Sequence, residues 1–512
     1  MELISSTFVL IFSFFVSVIT LQKLITTRNK PKPNTPPGPP KLPFIGNLHL
    51  FTGSDPLHYT LRDLAKIYGP LMHLKLGEVD NLVVTSPDMA KEILKTHDVV
   101  FASRPSLMAS EIGCYGSTDL AFSPYGDYWR QMRKICTQEL LSAPRVQSFR
   151  PIRDEEVSDL CRWIARHEGE KVNLTQKVSM MSYDIMLRAA LGQKTDDTAV
   201  FVRVVQEGMQ NVSVFGISDV YPSLKAVLRP FSGMRRQVEN DHEKMDMVLG
   251  KIVDDRRREN AAKVKGDGDE KKHIEDLLDV MLKCQASGSL EVPITNDNIK
   301  AVLMDMFGAG IDTSTSVVDW ALAELLKNPR VLQKTQDELR HVFDANGRVV
   351  KESYFDQLEY LKLVMKETLR LHPTAPLLLP RECRESCRIN GYDIPAKTRV
   401  LVNAWAMGRD PAFWEDAESF KPERFLEKAV DFKAASSFEY IPFGGGRRSC
   451  PGVTYGPTTI ELQLAMLLYY FDWVLPDGMK PEDVQMNEVL GVASRRKHDV
   501  VVIPIVRRDV PV

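Results

Sequence analysis

The stretch FGGGRRSCPG, Phe443 to Gly452, wraps a single thiol in four glycines and two arginines. A cysteine that only fills a core needs no such escort, because a free thiol packs as a small apolar side chain. A thiolate that ligates iron must be deprotonated, shielded from water and met by backbone N–H donors. Gly444, Gly445 and Gly446 permit a tight turn with φ > 0, and Gly452 removes a Cβ beside the metal plane. Arg448 sets a cation where an anionic cofactor edge would lie.

Working back from that turn, KPERF (Lys421 to Phe425) precedes it, and before it lies a strand-rich stretch, RINGYDIPAKTRVLVNAWAMG (Arg388 to Gly408), punctuated by proline and glycine. A helix over Leu358 to Leu371 carries KETLR, which puts Glu367 and Arg370 on one face. Further back, Thr295 to Lys327 reads as one helix of 33 residues, capped by TNDN and stopped by Asn328-Pro329. Its middle, GAGIDTS (Gly308 to Ser314), sets two helix-weakening glycines and three polar side chains in apolar surroundings. Earlier still, helical patterns over Pro87 to Thr96 and Tyr125 to Leu141 follow short β-like runs at Leu71 to Gly77 and Asn81 to Ser86. Val253 to Ile274 is nearly all charge and glycine and reads as a solvated surface loop. The expected fold is mainly α with small β-sheets, an α+β body.

Composition narrows the function. Lys plus Arg is 66 against Asp plus Glu 68, so no global field favours nucleic acid. Seven cysteines without a C-x-x-C pair or regular spacing argue against a disulfide framework, and a reducing compartment fits best. Cys383 and Cys387 in CRESC lack the further ligands that a zinc clip needs. No G-x-S-x-G elbow suggests a hydrolase, and no G-x-G-x-x-G after a strand suggests a nucleotide module.

Five motifs, in order, resemble those of the cytochrome P-450 superfamily, and their details are similar to its plant A-type microsomal enzymes. They are Trp129-x-x-x-Arg133, Ala309-Gly310-x-Asp312-Thr313-Ser314, Glu367-x-x-Arg370, Pro422-Glu423-Arg424-Phe425 and Phe443-x-x-Gly446-x-Arg448-x-Cys450-x-Gly452. The resemblance covers essentially the whole chain and implies a haem-thiolate monooxygenase with haem b between the long helix and the cysteine loop. It makes Cys450 the iron ligand, with Phe443 limiting water beside it. Trp129, Arg133, Arg381 and Arg448 become haem-propionate partners, and Glu367, Arg370 and Arg424 a buried triad. Asp312 and Thr313 become proton-delivery residues, although a threonine mid-helix can also back-bond to the i−4 carbonyl. Ala309 and Thr313 share a face, and Gly310 is expected to leave a groove there for oxygen and water.

The resemblance implies NADPH as the electron source through a partner, NADPH-cytochrome P-450 reductase, with cytochrome b5 as an optional second donor. Arg130 and Lys134 are the expected docking cations. Substrate-facing candidates are Ser106 to Tyr115, Val212 to Val220, Val302, Met306, Ala309, Ala375 to Leu379 and Val489 to Val492. Their apolar character fits a hydrophobic small molecule. The lean is a terpenoid or terpenoid-derived alkaloid, with phenylpropanoid or flavonoid oxidation as the alternative. Epoxidation or ring formation stands beside hydroxylation as an outcome.

At the amino end, nineteen uncharged residues from Leu3 to Leu21 are long enough to span a bilayer, and Lys23, Arg28, Lys30 and Lys32 follow them. Residues 1–24 are therefore expected to anchor the chain in the endoplasmic reticulum membrane by a single pass. Residues 25–47 form a basic, proline-rich hinge, and residues 48–512 a cytosolic catalytic domain. On that topology the sequons at Asn173 and Asn211 never meet the glycosylation machinery.

Overall fold

The computed structural model describes residues 33–194, 202, 205, 216–263, 275–428, 430–432, 437–489 and 493–510. The Leu3 to Leu21 run and the whole 206–215 stretch, Asn211 included, lie outside them, and among the described residues no helix is long and apolar enough to cross a membrane. The principal helices are α1 (Asp127–Ile135), α2 (Arg150–Ala165), α3 (Leu174–Leu191), α4 (Gly233–Lys263), α5 (Asn296–Lys327), α6 (Pro329–Ala345), α7 (Glu359–Leu371) and α8 (Tyr455–Tyr470). The strands that matter here are β1 (Leu71–Leu76), β2 (Val79–Val84), β3 (Val172–Asn173), β4 (Arg381–Glu382), β5 (Arg399–Val402), β6 (Phe471–Val474) and β7 (Val501–Val506).

α5 is the axis. Thr295 caps it, accepting from Asn298 N at 3.2 Å while Asn298 Oδ1 accepts from Thr295 N at 2.9 Å, so two orphan donors are satisfied reciprocally. It ends where Pro329 begins the next helix. Apolar residues on nearly every side let α3, α7 and α8 pack around it, the pattern of a helix buried in a large core. The sheet at one end has the order β1-β2-β5-β4, with β2 parallel to β5 and the other pairs antiparallel. A second sheet pairs β7 with β3 and β6.

The proline strut docks where it reaches the body. His73 N donates to Pro37 O at 2.8 Å, and a Cβ on Gly38 would lie 2.0 Å from the His73 carbonyl oxygen, so only glycine fits against β1. Asn173 is the N-cap of α3, accepting from Gln176 N at 3.0 Å.

Local chemistry shifts several expected boundaries. The Pro87 to Thr96 helix divides into an α-turn and a wider π-turn, and the 125–141 pattern splits likewise into α1 and a π-turn over Cys136–Leu140. The surface-loop reading of Val253 to Ile274 needs correction over its first half, because α4 runs through to Lys263. The charged run is helical there because Arg256 turns inward and is buried against Asp276 at 2.6 Å and Asp279 at 2.8 Å. Residues 264–274 lie outside the described residues.

Glu367 on α7 accepts from Arg370 Nε at 2.7 Å and Nη2 at 2.9 Å, and from Arg424 Nε at 3.0 Å. Lys421 N adds a fourth bond at 2.8 Å, and Arg370 also donates to the carbonyls of Gly408, Ala417 and Ser419. All three side chains are buried. Tyr440 extends the tie, its hydroxyl donating to Lys366 O at 2.9 Å while its ring meets Phe425 and Trp414. Three residues later the chain enters the cysteine turn. Glu367→Ala strands two buried guanidinium groups and is expected to cost about 3 to 5 kcal/mol. Arg330→Ala, which removes an exposed partner of Glu423, is expected to cost under about 1 kcal/mol. Equal melting temperatures for the two variants would refute this ranking.

Candidate active site

The turn that carries Cys450 is held by its glycines. Gly444 and Gly446 have φ of +71° and +67°, and a Cβ on Gly446 would meet Leu94 O at 2.1 Å and Asp98 Oδ1 at 2.6 Å. Cys450 N donates to Phe443 O at 2.9 Å, closing the turn, and the Phe443 ring lies 5.0 Å from that of Phe432. A Cβ on Gly452 would stand 3.7 Å from Cys450 Sγ. Cys450 is solvent-accessible and, with Phe443, Gly444, Gly446 and Ser449, lines a small pocket. Burial raises its pKa, while the Gly452 N–H and the Arg133 charge oppose that rise by favouring the thiolate.

α8 follows the turn and packs on α5, where a Cβ on Gly456 would stand 3.8 Å from Ser314 Oγ. This brings the cysteine turn close to the middle of the long helix. One stripe of α5, comprising Asp305, Gly308, Ala309 and Asp312, lines a cavity of about 790 Å³. Ala109, Ser110 and Gly113 of the Met108–Gly113 helix and Cys114 just after it complete part of its wall, together with Leu379 and Val489.

Of the substrate-facing candidates, Ala309, Leu379, Val489 and, from the Ser106 to Tyr115 stretch, Ala109, Ser110, Gly113 and Cys114 lie on this wall, whereas in the Val212 to Val220 stretch residues 212–215 lie outside the described residues and 216–220 lie off the wall. Val302 and Met306 do not: they fall off the stripe and pack into the apolar cluster with Ile299 and Leu303. Ala375 also lies off the wall. Residues 490–492 are outside the described residues. Gly310 corrects a second expectation. It faces α3, where a Cβ would come within 2.5 Å of Met186 Cε, so its smallness serves helix packing, and Gly308 is the glycine on the cavity side.

The proton-delivery pair is engaged elsewhere in this state. Thr313 Oγ1 donates to Ala309 O at 2.7 Å, the back-bond open to any mid-helix threonine. Asp312 is ion-paired with Arg495, and burial nevertheless raises its pKa against that charge.

The cation set does converge. Arg133 Nη2 reaches Ser449 Oγ at 3.5 Å, and Arg381 donates to Gly445 O at 2.6 Å and contacts Asp98 at 3.3 Å. Arg448 donates to Ala102 O and Ser123 O at 2.7 and 2.6 Å and lies 4.1 Å over the Trp129 ring. Trp129 Nε1 donates to Leu120 O at 3.1 Å. Burial, reinforced by the charge of Arg381, pushes Arg448 down to about 9. Arg104 joins the group, donating to the carbonyls of Ala121, Leu379 and Pro380. Sequence reasoning missed it, because Arg104 lies in no motif and only the fold brings it beside Arg448.

A cysteine held on a glycine turn with an N–H and a guanidinium favouring its anion, close to a central helix and beside crowded arginines, defines a haem-thiolate protein. The comparisons with known proteins agree. The cytochrome P-450 family model matches residues 36–502. Salviol synthase of Salvia pomifera is 48% identical over all of both chains. Premnaspirodiene oxygenase of Hyoscyamus muticus is 48% identical over 96% of each, and tabersonine 6,7-epoxidase isoform 1 of Catharanthus roseus 48% over 96% and 97%. In fold, a zebra fish cytochrome P-450 solved with progesterone superposes with a TM-score of 0.74 at 24% identity, covering 89% of this chain and 100% of that one. The chain belongs to the cytochrome P-450 family and is a haem-thiolate monooxygenase.

The residues present fit haem on two counts. The sulfur has backbone and guanidinium support for its anionic form. Four guanidinium groups meet few carboxylates, and burial, reinforced by the charges of neighbouring arginines, lowers Arg104 and Arg448, which marks a pocket short of anions that two propionates would supply. Gly446→Ala would combine left-handed backbone strain of about 1 to 3 kcal/mol with a backbone clash. Less than half the wild-type haem content per polypeptide is expected; full occupancy would contradict this account of the turn.

Proposed function

We propose that the protein oxidises a hydrophobic plant specialised metabolite of the terpenoid or terpenoid-derived alkaloid class, using O₂ and NADPH-derived electrons. The observation that carries the reading is the cavity on the Asp305–Asp312 stripe of α5, whose surface is mostly apolar although charged side chains stand along it. Named relatives that act on terpenoids and alkaloids support the substrate class. Residues 1–24 are assigned as a single-pass anchor in the endoplasmic reticulum membrane, residues 25–47 as the hinge and the remainder as the catalytic body. The assigned electron donor is NADPH-cytochrome P-450 reductase, with cytochrome b5 as an optional second source.

In this assignment Cys450 ligates the iron, and Arg133, Arg381, Arg448 and Trp129 hold the propionate edge while Phe443 limits water at the sulfur. Bound haem supplies the oxygen activation, and electron donation from sulfur favours O–O cleavage. The chain itself does the rest. Ala309, Leu379 and Val489 orient a greasy substrate, since a shift of about 1 Å is enough to change the carbon attacked. Thr313 Oγ1 moves a proton once it turns from the Ala309 carbonyl into the cavity. Arg495 favours the ionised form of Asp312, and the carboxyl takes up a proton more readily when that cation swings away, because burial raises its pKa.

Three measurements test this reading. Reduction under carbon monoxide is expected to give the strongly red-shifted thiolate Soret band, and Cys450→Ser to abolish it. Membranes containing the protein and reductase, given NADPH and a panel of terpenoids and alkaloids, are expected to yield an oxidised product. Turnover confined to phenylpropanoids or flavonoids would overturn the substrate class. Lys134→Glu is expected to raise severalfold the reductase concentration needed for half-maximal turnover at low salt, an effect that fades as salt rises; a value independent of ionic strength would refute docking at that face.

A further inference from the structure

Two carboxyl groups from distant parts of the chain meet on the cavity wall. Asp305, on α5, and Asp119, in the loop before α1, both line it. Asp119 is 1% exposed and makes no ion pair among the described residues, although the charges of Arg104 and Arg448 act on it from beyond the loop. Asp305 Oδ2 accepts from Leu120 N at 2.5 Å and also from the Ala121 amide. Asp119 Oδ2 accepts from Phe122 N at 3.1 Å, whereas its Oδ1 has no hydrogen-bond donor among the described residues. The two carboxyl groups are within hydrogen-bonding reach of each other.

The same short loop faces the arginines with its carbonyls. Leu120 O accepts from Trp129 Nε1 at 3.1 Å and from Arg448 Nη1 at 3.3 Å. Ala121 O accepts from Arg104 Nε at 2.8 Å, and Ser123 O from Arg448 Nη2 at 2.6 Å. Residues 119–123 are thus held by carboxyl groups through their N–H groups on one side, and hold cations through their C=O groups on the other.

Two adjacent carboxylates in a low-dielectric site cannot both be ionised, and a single proton between them turns repulsion into a hydrogen bond. We propose that Asp119 and Asp305 share one proton and act as positioning residues, locking the 119–123 loop so that Arg104, Arg448 and Trp129 stay aimed at the haem edge. The proposal rests on the assignment of Arg448 and Trp129 to that edge.

The surroundings suit a retained proton. Burial pushes Asp119 up to about 6, and burial together with the Asp119 charge holds Asp305 well above the usual carboxylate range. The other titratable groups facing the pair are Cys114, Tyr128 and Cys136, all kept neutral by burial, while Arg104 and Arg448 lie beyond the loop. Because both folded pKa values are raised, the lock is complete at low pH and is lost as pH rises and the last shared proton leaves.

The test follows two readouts of the holoenzyme between pH 6 and 9: the rate of haem transfer to excess apomyoglobin, and deuterium exchange of the peptide containing the Leu120 and Ala121 amides divided by the intrinsic exchange rate of the unstructured peptide at each pH. In the wild type both are expected to rise with pH on the alkaline side, approaching about tenfold per unit. D305N and D119N each supply a permanent N–H in place of the shared proton. Both are expected to hold haem as the wild type does at pH 7 and to stay within about twofold across the range. D305A, lacking donor and acceptor alike, is expected to lose haem at least about tenfold faster at pH 7; should it fail to fold, the two asparagine variants decide alone. Asparagine variants that follow the wild-type alkaline rise would overturn the shared proton. Amide exchange that responds to pH and mutation while haem transfer does not would overturn the coupling to the haem edge, leaving the oxidation chemistry proposed above unaffected.

Discussion

One buried carboxylate, Glu367, is shared by the guanidinium groups of Arg370 and Arg424, and the placement of the cysteine turn depends on it. A carboxylate so far from water is tolerable only if its lone pairs are filled, and four N–H donors fill them. Each donor belongs to a different reach of chain or a different atom of the fork, so the satisfied charge doubles as a geometric clamp. It fastens the segment before the turn to α7, which packs on α5. Cysteine turn and central helix are thereby referred to the same frame.

Within that frame the site works by crowding like charge. Arg104, Arg381 and Arg448 are buried near one another, and peptide carbonyls satisfy most of their N–H groups while leaving the net charge in place. Carbonyls can orient a guanidinium but cannot neutralise it, so the pocket keeps a demand for anions that two haem carboxylates would meet. The 119–123 loop is the part through which that orientation is enforced. Its opposite side is governed by two carboxyl groups, so the distal helix and the cofactor edge are mechanically connected.

The departures from sequence expectation share one cause. Glycine spacing in GAGIDTS shows that something needs room, but not which neighbour. Gly310 yields to Met186 of α3 and Gly308 opens on the cavity, a distinction set by the rotation of α5 against its partners. The same rotation takes Val302 and Met306 into the core and leaves Asp305 on the wall. The charge-rich run after Val253 reads as solvated because its partners, Asp276 and Asp279, follow only after the 264–274 segment and carry no local signal.

What the sequence alone determined is whatever local covalent rules demand: glycines where φ must be positive around Cys450, the Thr295 cap, the Pro329 stop, and a Glu367–Arg370 spacing that puts both on one face. Family membership was legible for the same reason, since its motifs are compact and contiguous. The tertiary structure alone decided which charges meet across long intervals: Arg424 with Glu367, Arg104 with Arg448, Asp119 with Asp305, Arg495 with Asp312. Such pairs are chosen by the cost of burying an unmatched charge. That cost depends on the three-dimensional surroundings of each group, which no short stretch of chain contains.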